Sequence, residues 1–358
     1  MINSAVRYEK LRAYMQAEGL DAIYVISPEN FFYMSGYNNP DGHMLITKSA
    51  SYAFSDFRYI EAARAESFDC VTVVLSTEST MFDVIAREGI TKLGIEDTRL
   101  TVAEFDSLVS SLEGTGCEIV KLGAYFNNLR SVKDEYEIAS ITAAQRIAEG
   151  AFHHLLSVIN YDMTEIEVAA ELEYYMKKNG SEMPAFDTIA VSGKSSSMPH
   201  GVPANRKLER GFLTLDYGAK INGYCSDMTR TIVIGKADED MKRLYNTVLK
   251  AQCAAIDAIT DGADAGEMDK IARDIINGAG YEGKFGHSLG HGVGLLIHEL
   301  PNQSFKTFGT KLAPGNIVTV EPGIYIEGLY GCRIEDMVAV TEGGKINLTV
   351  CPKELIEI

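Results

Sequence analysis

Short runs of β-branched and aromatic residues alternate with amphipathic stretches through the first third of the chain. AIYVIS (22–27), HMLIT (43–47), SYAFS (51–55) and CVTVVL (70–75) read as strands. VRYEKLRAYMQAEG, RYIEAARAES and TVAEFDSLVSSLE repeat their apolar positions at helical spacing. Such alternation predicts an α/β domain with a mixed or parallel sheet over residues 1–124, ending at the Gly- and Asn-rich loop GAYFNNLR (123–130). A second domain, 125–358, opens on a long helix over 134–159 with acidic residues in its first turn. The next helix, 164–180, has Thr164 as its cap, Glu167 as capping-box partner and a terminal glycine. Strands and turns follow, with a further helical stretch around 238–277, so this domain is α+β in character.

Composition narrows the class without naming a function. The 358 residues are 46% hydrophobic and 23% charged, which is ordinary for a folded chain. A formal net charge of −17 repels phosphate, so nucleic acid and anionic membrane surfaces are poor partners. No run approaches the roughly 20 apolar residues that span a bilayer, and the start MINSAVRYEKLRAYMQAEGL has no apolar signal core. The cysteines at 70, 117, 225, 253, 332 and 351 form no CxxC and no framework, as expected of reduced thiols in the cytoplasm.

The chemistry lies in two segments. In FLTLDYGAKINGYCSDMTRTIVI (212–234) two β-rich runs flank the turn KING, and Asp216 and Asp227 are symmetric about a centre between Ile221 and Asn222. Across a hairpin they would face each other, where like charges are unfavourable unless a cation or a proton compensates. In IVTVEPGIYIEGLYGCRIEDMVAVT (317–341), Glu321 and Glu335 are equidistant from Gly328 in the same way. One such pair among 50 acids carries little weight. Two pairs in apolar strands predict a divalent-cation site, because buried carboxylates need opposite charge. Three histidines, His287, His291 and His298, fall within GHSLGHGVGLLIHELP, and His200 stands upstream. The spacing is not HExxH, and GxGxxG, P-loop and GxSxG patterns are absent. A carboxylate-rich set with imidazole suits a pair of hard or borderline cations, Mn²⁺ foremost, and such a pair supports hydrolysis.

These segments, together with SMPHGVP, VEPGIYI and GCRIEDMVAVT, resemble the pita-bread (creatinase/aminopeptidase fold) metallopeptidases, in particular the Xaa-Pro aminopeptidase and prolidase branch. LRSVKDEYEI and SDFRYIEAA extend the likeness into the first domain, which is similar to the creatinase-type N-terminal domain. The resemblance implies a creatinase-like α/β domain followed by a pita-bread catalytic domain with pseudo-twofold internal symmetry. It implies Asp216, Asp227, His291, Glu321 and Glu335 as ligands of two divalent ions, with a bridging hydroxide as nucleophile. Glu321 would also shuttle a proton, His200 and His298 would contact the substrate, and His287 and Arg333 would line or support the proline side. Manganese is the expected metal, with cobalt, zinc or iron as alternatives, and a homodimer the expected assembly. Proline-containing peptides or dipeptides are the expected substrates. Asp162, where the family often has glycine, and the short RGFLTLD are departures in connections. Two alternatives stand beside this expectation. One is another pita-bread enzyme, a methionine aminopeptidase or a creatinase-like hydrolase; the other is a non-catalytic binding relative.

Overall fold

The computed structural model describes residues 4–39 and 41–358; Met1 to Asn3 of the amphipathic start lie outside them. The chain divides into two compact units, Met1–Leu129 and Arg130–Ile358.

The first unit is a six-stranded sheet. Its strands are β1 (Ala22–Val25), β2 (His43–Thr47), β3 (Ser51–Ser55), β4 (Thr72–Leu75), β5 (Lys92–Ile95) and β6 (Glu118–Lys121). They lie in the order β4-β3-β2-β1-β5-β6. Only β2 runs antiparallel to its neighbours; the β3–β4, β1–β5 and β5–β6 pairs are parallel. The helices are α1 (Ser4–Glu18), α2 (Pro28–Ser35), α3 (Ile60–Glu66), α4 (Met81–Glu88), α5 (Val102–Leu112) and α6 (Tyr125–Ser131). Strand β1 stops short of the expected 27 because the amides of Ile26 and Ser27 donate to the Glu96 carboxylate instead of a strand. Helices α4 and α5 begin at capping boxes, Thr80 with Asp83 and Thr101 with Glu104. Both pack on one face of the sheet, where Val84, Ile85, Leu108 and Leu112 meet Leu45, Phe54, Leu93 and Ile95. The segment expected as the loop 123–130 is helical as α6. Tyr125 stacks on Tyr14 at 3.8 Å between ring centroids and Phe126 is buried, so tertiary packing overrides the loop-forming composition.

The second unit repeats one motif twice. Helices α7 (Glu135–Val158) and α8 (Glu165–Lys178) precede strands β7 (Ile189–Ser192), β8 (Gly211–Tyr217), β9 (Lys220–Ile221), β10 (Tyr224–Cys225) and β11 (Met228–Ile234). The stretch expected as one helix around 238–277 is two, α9 (Glu239–Ala258) and α10 (Ala265–Gly278), parted where Gly262 takes φ 75°. After these come β12 (Gly290–Gly292), β13 (Glu299–Gln303), β14 (Ile317–Val320), β15 (Gly323–Ile326), β16 (Tyr330–Arg333), β17 (Asp336–Thr341) and β18 (Gly344–Asn347). The sheets run β11-β8-β7 and β13-β12-β14-β17-β18, with β9–β10 and β15–β16 as short ribbons. In one core Ala148, Phe152 and Leu172 of α7 and α8 cover Leu213, Leu215, Ile232 and Ile234. In the other Leu244, Val248 and Ala272 of α9 and α10 cover Val318, Val320, Val338 and Val340. Each such Leu, Ile, Val or Phe side chain contributes about 1.5–3 kcal/mol by leaving water. The two packed halves are the pseudo-twofold architecture expected from the sequence.

Arg230 of β11 ties the halves together. Its side chain is 2% exposed and pairs with Asp336, itself 0% exposed, at 2.9 Å. Its remaining N–H groups donate to the carbonyls of Thr229, Glu335, Cys351 and Pro352. Lys353 and Asn347 donate to the other carboxylate oxygen of Asp336.

Candidate metal centre

The first carboxylate hairpin turns at Asn222 and Gly223, whose φ of 51° and 78° give the two left-handed positions of a tight turn. The pairing puts Thr229, not Asp227, opposite Asp216. The expected mirror pair is therefore displaced: the turn centre lies one residue later than the sequence symmetry suggested, because Asn-Gly supplies both left-handed residues. Asp227 falls in the break between β10 and β11, diagonal to Asp216, and is 4% exposed.

The second hairpin keeps the expected register. Val320 pairs with Asp336 and Gly323 with Arg333, so Glu321 and Glu335 face each other in the gap between the two ladders. Their amides are held from outside the hairpin. Glu321 N donates to Leu289 O at 2.9 Å and Glu335 N to Thr229 O at 3.1 Å. Both carboxylates are thus released from strand pairing yet fixed in place.

His291 enters from β12. Its Nδ1 donates to Gly292 O at 3.0 Å, which leaves Nε2 facing Glu321 Oε1 at 3.3 Å and Asp227 Oδ2 at 3.6 Å. Ligand atoms of Asp227, His291 and Glu335 lie within 4.8 Å of one another. A cavity of about 870 Å³ is lined by all the side chains singled out from the sequence: Asp216, Asp227, His291, Glu321 and Glu335, with His200, His287, His298 and Arg333. His298 stacks edge-on against His291 at 4.4 Å between centroids.

Three further residues, Thr229, Tyr325 and Thr319, organise the site together with Arg333 and escape a reading by residue type. Arg333 Nη2 donates to Asp216 Oδ2 at 2.5 Å, its Nε to Thr229 Oγ1 and its Nη1 to Tyr325 Oη at 2.6 Å. Thr229 in turn donates to Glu335 Oε2 at 2.7 Å. Tyr325 Oη lies 3.0 Å from His287 Nε2, and His287 Nδ1 donates to Ser288 O. Thr319 donates to Glu321 Oε1 at 3.1 Å. Tyr325 and Thr319 are separated from Glu321 by even steps along a strand. Alternation was the available signal, but a neutral hydroxyl among apolar residues reads as core.

The charges do not balance within the protein. Burial, and then the neighbouring carboxylates, push Asp227 and Glu335 well above the usual carboxylate range. Burial also raises Asp216, against the pull of Arg333. Glu321 is the exception: burial would raise it, but the hydrogen bond and charge of His291 bring it down to about 2. Asp216 Oδ1 is buried without a hydrogen-bond partner. Four converging carboxylates, one imidazole nitrogen and an orphaned oxygen fit hard divalent cations.

Comparison with known proteins matches this geometry. Residues 139–342 match metallopeptidase family M24, and residues 7–132 match the creatinase/prolidase N-terminal domain. The chain is 40% identical over 354 residues to an Xaa-Pro dipeptidase of Pyrococcus furiosus, covering 98% of this chain and 99% of that one. Among solved structures it is similar to an Xaa-Pro dipeptidase from Bacillus anthracis, with 39% identity and a TM-score of 0.93 over 99% of this chain and 100% of that chain. It is also similar to an X-Pro aminopeptidase from Thermotoga maritima, with 35% identity and a TM-score of 0.89 over 98% and 100%.

Proposed function

The chain belongs to metallopeptidase family M24 and is a metallo-exopeptidase, and from that premise we propose that it cleaves the peptide bond between an N-terminal residue and proline. One observation carries the reading: four carboxylates and His291 converge on a single large cavity, with too little protein cation to neutralise them. In this proposal Asp216, Asp227, His291, Glu321 and Glu335 hold two divalent ions. When bound, such ions supply an activated water and polarise the scissile carbonyl. Glu321, kept ionised beside His291, takes the proton released by the attacking water and passes it to the departing proline nitrogen. That transfer is needed because an amide nitrogen leaves as an amine. His200 and His298, at the exposed side of the cavity, donate to the oxygen on which charge develops. His287 has both ring nitrogens engaged and therefore offers the proline ring an uncharged face.

The same reading takes manganese as the native ion, a homodimer as the assembly and the cytoplasm as the compartment. The free thiols are in keeping with a reducing compartment, and no helix among the described residues is long and apolar enough to cross a membrane. Chelation should reduce turnover of an Xaa-Pro substrate to background, and added Mn²⁺ or Co²⁺ should restore it. Turnover that persists in stripped protein would refute the two-metal proposal.

Substrate length turns on whether the cavity can receive the free carboxylate of a dipeptide. Arg333 already commits four of its five N–H groups to Asp216, Thr229, Tyr325 and Pro199. Lys306 lines the same cavity from the turn after β13 and makes no ion pair among the described residues. If the protein is a dipeptidase, Lys306→Met should raise KM for Xaa-Pro by about tenfold, the worth of a partly screened charge-assisted contact of about 1.4 kcal/mol. KM for Xaa-Pro-Yaa should stay unchanged. Equal effects on both substrates would remove Lys306 from this role.

A further inference from the structure

The first unit contains a second cavity, of about 690 Å³, lined by none of the residues assigned to the metal centre. Its position follows from the sheet order. Chain connections leave β1 toward β4 and leave β5 toward β6, so the topology reverses between the adjacent strands β1 and β5. In open α/β sheets the crevice outside the carboxyl ends of the strands, at such a reversal, is where ligands sit. The lining residues Ile26 and Ser76 directly follow the carboxyl ends of β1 and β4, and Leu100 lies five residues beyond that of β5.

The floor is a ladder of rings across three strands. His43 of β2 lies directly opposite Phe54 of β3. Their rings are parallel to within 13° at 5.1 Å between centroids. Tyr24 of β1 meets His43 edge-on at 5.7 Å. The wall is α5, which presents Ala103, Ser107 and Ser111 on successive turns. Those small side chains leave the space open where leucines would close it. Burial lowers His43 to about 4, so the imidazole is uncharged at neutral pH. Among the described residues, neither its ring nitrogens nor the Tyr24 hydroxyl has a hydrogen-bond partner.

The charges around the crevice select the ligand. The N-termini of α4 and α5, which could attract phosphate, are already satisfied by Asp83 and Glu104. Glu104 itself lines the cavity, and Asp41 at the rim pairs with Arg58 at 2.9 Å. These carboxylates would repel an anion and attract a cation. We infer that this crevice binds a small planar aromatic molecule, neutral or cationic, whose ring stacks on the His43–Phe54 ladder while a polar edge reaches His43, Tyr24 and Glu104. The volume suits such a ligand, since small-molecule sites measure roughly 300–1,000 Å³.

Tryptamine is a suitable probe, because the protein contains no tryptophan and the indole signal is the ligand's alone. With the full-length protein, tryptamine anisotropy should rise saturably, and indole-3-acetate, the same ring with an anionic tail, should bind at least tenfold more weakly. Ser107→Phe, which fills the cavity, should abolish binding. His43→Phe keeps the ring ladder but removes the nitrogens, and should weaken binding about fivefold, the loss of one hydrogen bond. Both variants should retain wild-type peptidase turnover, which reports an intact fold and separates this crevice from the catalytic cavity. Absence of saturable binding, equal affinity for indole-3-acetate, or binding that neither variant alters would overturn the inference.

Discussion

Asp227→Asn is expected to lower kcat/KM for an Xaa-Pro substrate by about three orders of magnitude while making the metal-free protein more stable. The first effect follows from removing an anionic donor at the centre of the proposed ligand set. A bound divalent ion is worth several kcal/mol of transition-state stabilisation, and each 1.36 kcal/mol is tenfold in rate. The second effect follows from the imbalance of charge. Asp227 is buried beside Glu335, Asp216 and Glu321, which hold its carboxyl protonated in the folded chain far above the pH at which the unfolded chain ionises it. A raised carboxyl costs nothing below the unfolded value of about 3.9. Its cost grows as pH climbs above that value, because only the unfolded state releases the proton. Chelated wild-type protein should therefore lose thermal stability between about pH 4 and pH 7, and the asparagine variant should lose less. Added Mn²⁺ should reverse the ranking by stabilising the wild type by mass action. Melting curves at both pH values, with and without metal, provide the check. A chelated variant that melts below chelated wild type at pH 7 would mean that Asp227 is favourably paired rather than crowded.

Arg230→Met should produce the largest loss of stability, about 3–5 kcal/mol, because it leaves Asp336 short of its main partner in a dry interior. It also strands the carbonyls of Thr229, Glu335, Cys351 and Pro352. For a unit of this size that corresponds to a fall in melting temperature of roughly 6–20 °C. Adding Asp336→Leu should recover part of the loss, since a matched apolar pair replaces a buried ion pair cheaply and Lys353 can turn toward water. If urea unfolding gives Arg230→Met the midpoint of the parent, the ion pair contributes nothing and the account is wrong. The variant should also bind metal more weakly, because Arg230 Nη1 fixes the carbonyl of Glu335 itself.

Much of the centre is legible before any coordinates. Symmetry about Gly328 places Glu321 opposite Glu335, since a tight hairpin transmits register without error over a few residues. The same reasoning slips at Asp216 and Asp227. There the Asn-Gly turn sets the centre, and the break after β10 lets Asp227 return to the site from a diagonal position. Helix α6 is invisible to composition because it rests on the stacking of Tyr125 against Tyr14, a contact between distant parts of the sequence. Thr229, Thr319 and Tyr325 show the other limit. Their residue types predict nothing, and their roles come from which oxygens lie within reach once the strands are aligned. Strands β5 and β6 are too short and too plain in pattern to stand out, although the parallel sheet requires them.

The division of the carboxylates between the two repeated halves has a consequence for biosynthesis. Asp216 and Asp227 emerge from the ribosome with the first helix pair behind them, whereas His291, Glu321 and Glu335 follow only after the second. At ordinary translation rates the delay is roughly five to twenty seconds. Throughout that interval the nascent chain offers only two of the five proposed ligands, Asp216 and Asp227, a set too sparse to retain a divalent ion. On the proposed ligand set, metal capture has to await the second half, and a chain stalled before β12 lacks three of the five donors whatever divalent ion is supplied.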